Sequence, residues 1–200
     1  MQLIGMLDSP YVRRVAICMK VLRLEYEHRS LSVFSDFDTF RKINPAVKVP
    51  TLVTDDGQVL MDSTLIIGYL EELAVGAPRL RPEPGPARLR ALCQTALALA
   101  ACEKAVQIVY ERRLRPPEKQ HQPWLDRVQL QLHGAWQQLE ASVRHDAPDC
   151  LGVAGISIAV AWSFTQSMLP DALPAGEYPA VARFAALAEQ QAVFVATPMA

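Results

Sequence analysis

The sequence predicts an α/β unit of order β-α-β-α-β-β-α followed by an all-helical half. Three observations carry this reading. Short strand-like apolar runs alternate with helix-spaced stretches between Gln2 and Ala74. A segment rich in proline and glycine, residues 76–87 (GAPRLRPEPGPA), then interrupts regular structure. Beyond it only helical spacing recurs. The expected boundaries are a first domain at 1–77, a linker at 78–87 and a helical domain at 88–200. A chain of 200 residues, 50% apolar and 20% charged, has the length and composition to bury a core in each part.

The elements follow in order. Residues 2–7 (QLIGML) read as a strand, after which Ser9-Pro10 resets the period. Val12, Val15, Ala16, Met19 and Leu22 recur at the spacing of one helix face, predicting a helix from Tyr11 to Leu24. Tyr26 to Val33 alternates loosely as a second strand. A short helix from Phe37 to Ile43 stops at the Asn44-Pro45 turn signal. Pro50 to Thr54 and Val59 to Met61 flank Asp55-Asp56-Gly57 and read as a hairpin. A third helix begins at Asp62 and runs to about Ala74, giving one layer of four strands with helices packed on it. In the second half, helices are expected at Pro86–Leu114, Pro123–Arg144, Ser157–Met168 and Pro179–Gln190. The third of these is apolar almost all round and is expected at the centre.

Charge and composition exclude several classes. The formal net charge is −1 with no long basic run, so nucleic acid is not an expected partner. No run approaches the ~18 uninterrupted apolar residues of a membrane span, and the longest, Ala96 to Cys102, is short and Ala-rich. The N-terminal residues lack the pattern of a signal peptide, which predicts a cytoplasmic protein. Cys18, Cys93, Cys102 and Cys150 form no CxxC, and core packing is the default for each. The histidines are scattered without metal-ligand spacing, so no metal is expected.

Three features carry chemistry. Val49-Pro50 opens a strand, where the missing proline N–H costs little. A cis bond there would leave the Val49 N–H and C=O outside the sheet, able to pair with an extended peptide. Cis is the minority state of X-Pro bonds, so position alone leaves the isomer open. Asp62-Ser63 starts a helix, whose free N–H groups and dipole attract a carboxylate. Ser63 suits that carboxylate and Asp62 an ammonium, a pairing found together on a γ-glutamyl group; a plain N-cap is the alternative. Ser9 before Pro10 is a common capping arrangement. Its hydroxyl can also donate to a thiolate, which together with the helix dipole would lower a bound thiol's pKa from about 8.5.

The runs DSPYVRRVAICMKVLRLEYE, NPAVKVPTLVTDDG and LMDSTLIIGYLEE resemble the glutathione-binding domain of the glutathione transferases, above all short bacterial members with serine in the first loop. The Pro-rich linker and helical second half resemble that family too. The resemblance implies a thioredoxin-like first domain, a cis Pro50, and Val49 pairing with the cysteinyl backbone of glutathione. It implies that Asp62 and Ser63 hold the γ-glutamyl group, that Ser9 supports the thiolate, and that Lys48 contacts glutathione. Lys42 or Arg41 would reach the glycyl carboxylate. The electrophile would lie by Tyr11 and Val12, near Tyr110 and Arg113 of the first long helix, with Trp162 as a further lining residue or a core residue. A homodimer is also implied.

The implied activity is conjugation of glutathione, as co-substrate, to a small hydrophobic electrophile. The alternatives are glutathione-dependent reduction of a peroxide or disulfide, and a non-catalytic glutathione-binding regulator. Exchange through a protein thiol is disfavoured, because Cys18 lies about two turns beyond the helix start. Two departures stand out. Ser157-Ile158-Ala159-Val160 lacks the acid of the capping box many members carry there, and Leu97–Ala101 lacks the carboxylate that reaches the partner's glutathione. The second departure predicts modest glutathione affinity.

Overall fold

The computed structural model describes residues 1–199 and divides the chain into two compact units. The first comprises Met1–Leu80 together with residues 190–199, and the second spans Arg81–Glu189. The expected helical domain is therefore shortened at its far end, because the last segment packs with the sheet unit instead.

The first unit contains β1 (Gln2–Ile4), α1 (Pro10–Val21), β2 (Glu27–Arg29), α2 (Phe37–Ile43), β3 (Thr51–Val53), β4 (Val59–Met61), α3 (Ser63–Leu73) and the short α8 (Ala192–Val195). The predicted order β-α-β-α-β-β-α is present, with strands aligned β2-β1-β3-β4. β1 runs parallel to β2 and antiparallel to β3, and β3–β4 is the expected hairpin, with Thr51 opposite Met61. The strands are shorter than the apolar runs suggest. β1 ends at Ile4 because Gly5 turns the chain at φ 134°. α1 ends at Val21, one turn before Leu24, where Arg23 takes a left-handed φ of 58°. α1 is buried almost all round, packing against β1, α3 and α8.

The helical unit contains α4 (Pro86–Leu114), α5 (Gln122–His145), α6 (Val153–Met168) and α7 (Pro179–Glu189). The face predicted for α5, Leu125, Val128, Leu132, Trp136 and Leu139, is buried. α6 is the apolar, buried helix expected, yet it starts one turn before Ser157. Gly152 caps it without a side chain. Ser157 lies inside it and donates its hydroxyl to the Val153 carbonyl at 2.6 Å. The earlier start depends on Gly155, where a Cβ would stand 2.1 Å from the Asp149 carbonyl oxygen. Trp162 is a core residue of this unit. It meets Trp136 edge-on at 5.1 Å and Tyr178 at 6.0 Å between ring centroids, the geometry aromatic pairs favour.

α4 passes a looser test than the uninterrupted run sought in the sequence. Its most apolar 18-residue window has a mean hydropathy of 1.3, enough by length and composition to cross a membrane, although scattered polar residues break the uninterrupted runs. A helix inside a bundle meets the same measure, and α4 packs on both α5 and α6. Cys18 and Cys102 are buried as expected, whereas Cys93 is exposed on α4.

α7 is capped from outside its own sequence. Glu140 of α5 is 6% exposed and accepts from the Ala180 and Val181 N–H groups at 3.0 and 2.9 Å, with Arg144 donating to Oε1 at 2.8 Å. Burial pushes the carboxyl pKa up, but the two backbone donors and Arg144 outweigh it and hold the group below its ordinary value of 4.5. Glu140 therefore contributes stability in full above that ordinary value and loses it as pH falls through the depressed one. Glu140→Gln is expected to cost about 2 kcal/mol near neutrality and progressively less as pH falls below 4.5, checked by denaturant melts over that range.

Candidate functional site

The expected site residues Ser9, Val49-Pro50 and Asp62-Ser63 all lie in the first unit, each at the start of an element. Ser9 caps α1 with extended backbone, and Pro10 fills the first helical position, where no N–H is needed. The Ser9 hydroxyl accepts from Val12 N–H at 3.5 Å, the limit of a hydrogen bond. The cap holds the hydroxyl loosely and leaves its proton for another acceptor. Cys18, by contrast, is fully buried in the second half of α1.

The Val49-Pro50 bond is cis. β3 pairs only from Thr51 onward, so the backbone groups of Val49 stand outside the ladder, as the sequence suggested. Asn44 braces this loop from below. Its Nδ2 donates to Thr51 Oγ1 at 2.8 Å, that hydroxyl donates to the Lys48 carbonyl at 2.7 Å, and Asn44 Oδ1 accepts from Ala46 N–H at 3.0 Å. Gly5 lies against the same loop. A Cβ there would sit 2.6 Å from Val12 Cγ2 and 2.9 Å from Val49 Cγ1, so only glycine lets α1 and the Val49 loop approach this closely.

Asp62 holds a left-handed φ of 73°, and its Oδ1 accepts from Thr64 and Leu65 N–H at 2.8 and 3.3 Å. It is a true N-cap, as the plainer reading proposed, and the cap makes no demand on Oδ2. A non-glycine residue in this region is strained, a cost commonly met at binding sites. Ser63 is 4% exposed, and its Oγ accepts from Arg14 Nη1 at 2.8 Å. The same nitrogen donates to Thr64 Oγ1 at 3.3 Å. Arg14 is 2% exposed and so places positive charge directly behind the N-terminus of α3. With its oxygen engaged by Arg14, the Ser63 hydroxyl is left to donate, which suits a carboxylate ligand.

The other predicted residues are less concentrated. Lys48 is exposed beside Val49, with its carbonyl tied to Thr51. Lys42 is exposed in the last turn of α2. Tyr11 is half-buried and Val12 fully buried beneath Gly5. In the helical unit Tyr110 is 44% exposed, Arg113 is exposed and Trp162 is in the core. Among the described residues no group of three or more His, Cys, Asp or Glu side chains is placed to hold a metal.

Gly5, Arg14 and Asn44 were missed as site residues. Two had a signal: Gly5 is a lone glycine in an apolar strand run, the mark of close backbone approach. Arg13 and Arg14 are charged residues in an otherwise apolar helix, and a buried arginine needs a polar partner.

The geometry defines a βαβαββα domain that presents a cap hydroxyl at Ser9, unladdered backbone groups at Val49 and a helix N-terminus at Asp62-Ser63. Residues 3–78 match the family model described as glutathione S-transferase, N-terminal domain. Two structures of a glutathione transferase family member from Pseudomonas fluorescens Pf-5 are 33% identical to this chain. One has bound S-(propanoic acid)-glutathione, with a TM-score of 0.82 over 98% of each chain. The other has bound glutathione, with a TM-score of 0.86 over 98% of this chain and 97% of that one. The uncharacterized GST-like protein YibF of Escherichia coli K12 is 29% identical over 163 residues, 80% of either protein. This chain belongs to the glutathione transferase family, and its first domain has the thioredoxin-like fold.

Gly5→Ala is expected to destabilise the first unit by about 2–3 kcal/mol, since the added carbon must displace Val12 or Val49 and holds a backbone φ that L residues avoid. Chemical denaturation against the parent protein measures the difference. A variant as stable as the parent would contradict the close approach.

Proposed function

We propose that this chain is a glutathione transferase that stabilises the thiolate of bound glutathione for attack on a small hydrophobic electrophile. The observation that carries the proposal is the Ser9 hydroxyl, half-buried at the N-terminus of α1 and held by its own helix at only 3.5 Å. A sulfur above that helix end meets a hydroxyl donor and the positive end of the dipole together, and both favour the ionised form. The cysteinyl backbone of glutathione pairs with the free groups of Val49. Its γ-glutamyl carboxylate accepts from Ser63, backed by Arg14, and its ammonium faces the Asp62 carboxylate. Holding thiolate and electrophile together supplies the remaining rate advantage. The burial of Cys18 speaks against the thiol of α1 as the nucleophile. We place this activity in the cytoplasm, as disposal of reactive electrophiles.

Ser9→Ala is expected to lower kcat for a generic aryl halide about a hundredfold, by analogy with removing one donor to a developing anion, while glutathione affinity measured by calorimetry stays nearly constant. Equal turnover in the two proteins would sink the transferase reading. Binding without turnover in either would favour a non-catalytic regulator.

Homodimerisation is proposed on the family's habit together with exposed apolar side chains, Met61 and Leu65 in the first unit and Leu89 and Leu92 in the second. Light scattering should give a dimer mass, and Leu65→Glu should reduce it to the monomer. A monomeric parent protein would refute the proposal.

A further inference from the structure

The segment that follows α7 belongs to the sheet unit, where it meets the helix that carries Ser9. Phe194 of α8 is fully buried, and the Arg13 guanidinium lies over its ring at 5.7 Å from the centroid. Arg13 Nε donates to the Thr197 carbonyl at 2.8 Å. The Thr197 hydroxyl is turned back onto the Val193 carbonyl, and Thr197 is 2% exposed, so the acceptor is part of a folded turn. The guanidinium is thus held over the Phe194 ring and at its Nε by the Thr197 carbonyl. Arg13 is itself 3% exposed.

The position of Arg13 on α1 gives this contact its meaning. Its backbone N–H closes the first turn of the helix by donating to the Ser9 carbonyl at 2.9 Å, and the neighbouring Val12 N–H is the one the Ser9 hydroxyl accepts from. First turns fray, because their N–H groups have few intrahelical partners. A frayed turn would free the Ser9 carbonyl, leaving its N–H on the Met6 carbonyl at 3.2 Å, and let its hydroxyl swing away from any sulfur above the helix. The Ser9–Val12 contact, at 3.5 Å, is too weak to prevent this.

We propose that residues 194–197 are a positioning element for Ser9: by gripping Arg13 they hold the first turn of α1, and so keep the Ser9 hydroxyl and the helix N-terminus aimed at the bound thiol. Arg13 and Phe194 touch no substrate and act through the helix. The inference rests on the transferase reading of Ser9.

The test compares the full-length protein with Phe194→Ala and Arg13→Lys, the latter keeping the charge but losing the planar fork. The readouts are the ultraviolet thiolate absorbance of bound glutathione against pH, kcat, and KM for glutathione. The parent should show a thiol pKa below that of free glutathione. Both variants should raise it by about one unit, a tenfold loss of thiolate and of kcat below the pKa, with KM for glutathione changed less than twofold because Val49 and Ser63 are untouched. Phe194→Leu, which keeps the apolar filling but not the aromatic face, should fall between. Unchanged thiol pKa in folded variants would overturn the proposal while leaving the transferase reading intact, as would a loss of stability with KM and kcat moving together. A parent protein that does not lower the thiol pKa at all would overturn both. If Phe194→Ala does not fold, Arg13→Lys and Phe194→Leu are read by the same criteria.

Discussion

Between the end of β1 and the Val49 loop, packing leaves no space for a β-carbon at residue 5. Val12 of α1 and Val49 before the cis proline both close on that point, one carrying the turn that Ser9 caps and the other the backbone offered to a ligand. A side chain at residue 5 would push these two walls apart. The spacing between the first turn of α1 and the Val49 loop is therefore set by the missing side chain at residue 5, with Asn44 and Thr51 fixing the loop from the other side.

α1 extends this dependence through two adjacent arginines. Consecutive residues on a helix point about 100° apart, so Arg13 and Arg14 reach different neighbours. Arg14 supports Ser63 and Thr64 at the start of α3, and Arg13 is held by Phe194 and Thr197. Burying a guanidinium is costly without good hydrogen bonds. Each therefore ties α1 strongly to whatever supplies its acceptors. Arg14 thereby places buried positive charge behind the start of α3, through the Ser63 hydroxyl.

Much of this was legible where the signal is local. The Asp55-Asp56-Gly57 hairpin, the Ser9-Pro10 helix start, the Pro86 start of α4 and the buried face of α5 follow from turn residues, caps and periodicity. The order of Ser9, Val49-Pro50 and Asp62-Ser63 pointed to three element starts, which the structure places in one unit and where backbone groups are left free. What stayed hidden depends on distant partners. Nothing near Arg14 announces Ser63, and nothing near Glu140 announces the start of α7. α6 begins a turn early because Gly155 lets it back against Asp149, a contact that periodicity does not register.

The Arg13–Thr197 bond spans 184 residues of chain. During synthesis the sheet unit emerges first, yet a piece of its interior is made only after the whole helical unit has left the ribosome. Domains usually complete themselves in the order they are translated. Here the first-made unit finishes last, and until Phe194 arrives the aromatic cover of Arg13 is missing. The helix that carries Ser9 is thus among the last parts of its own unit to be locked, because its Arg13 waits for a segment translated after the helical unit.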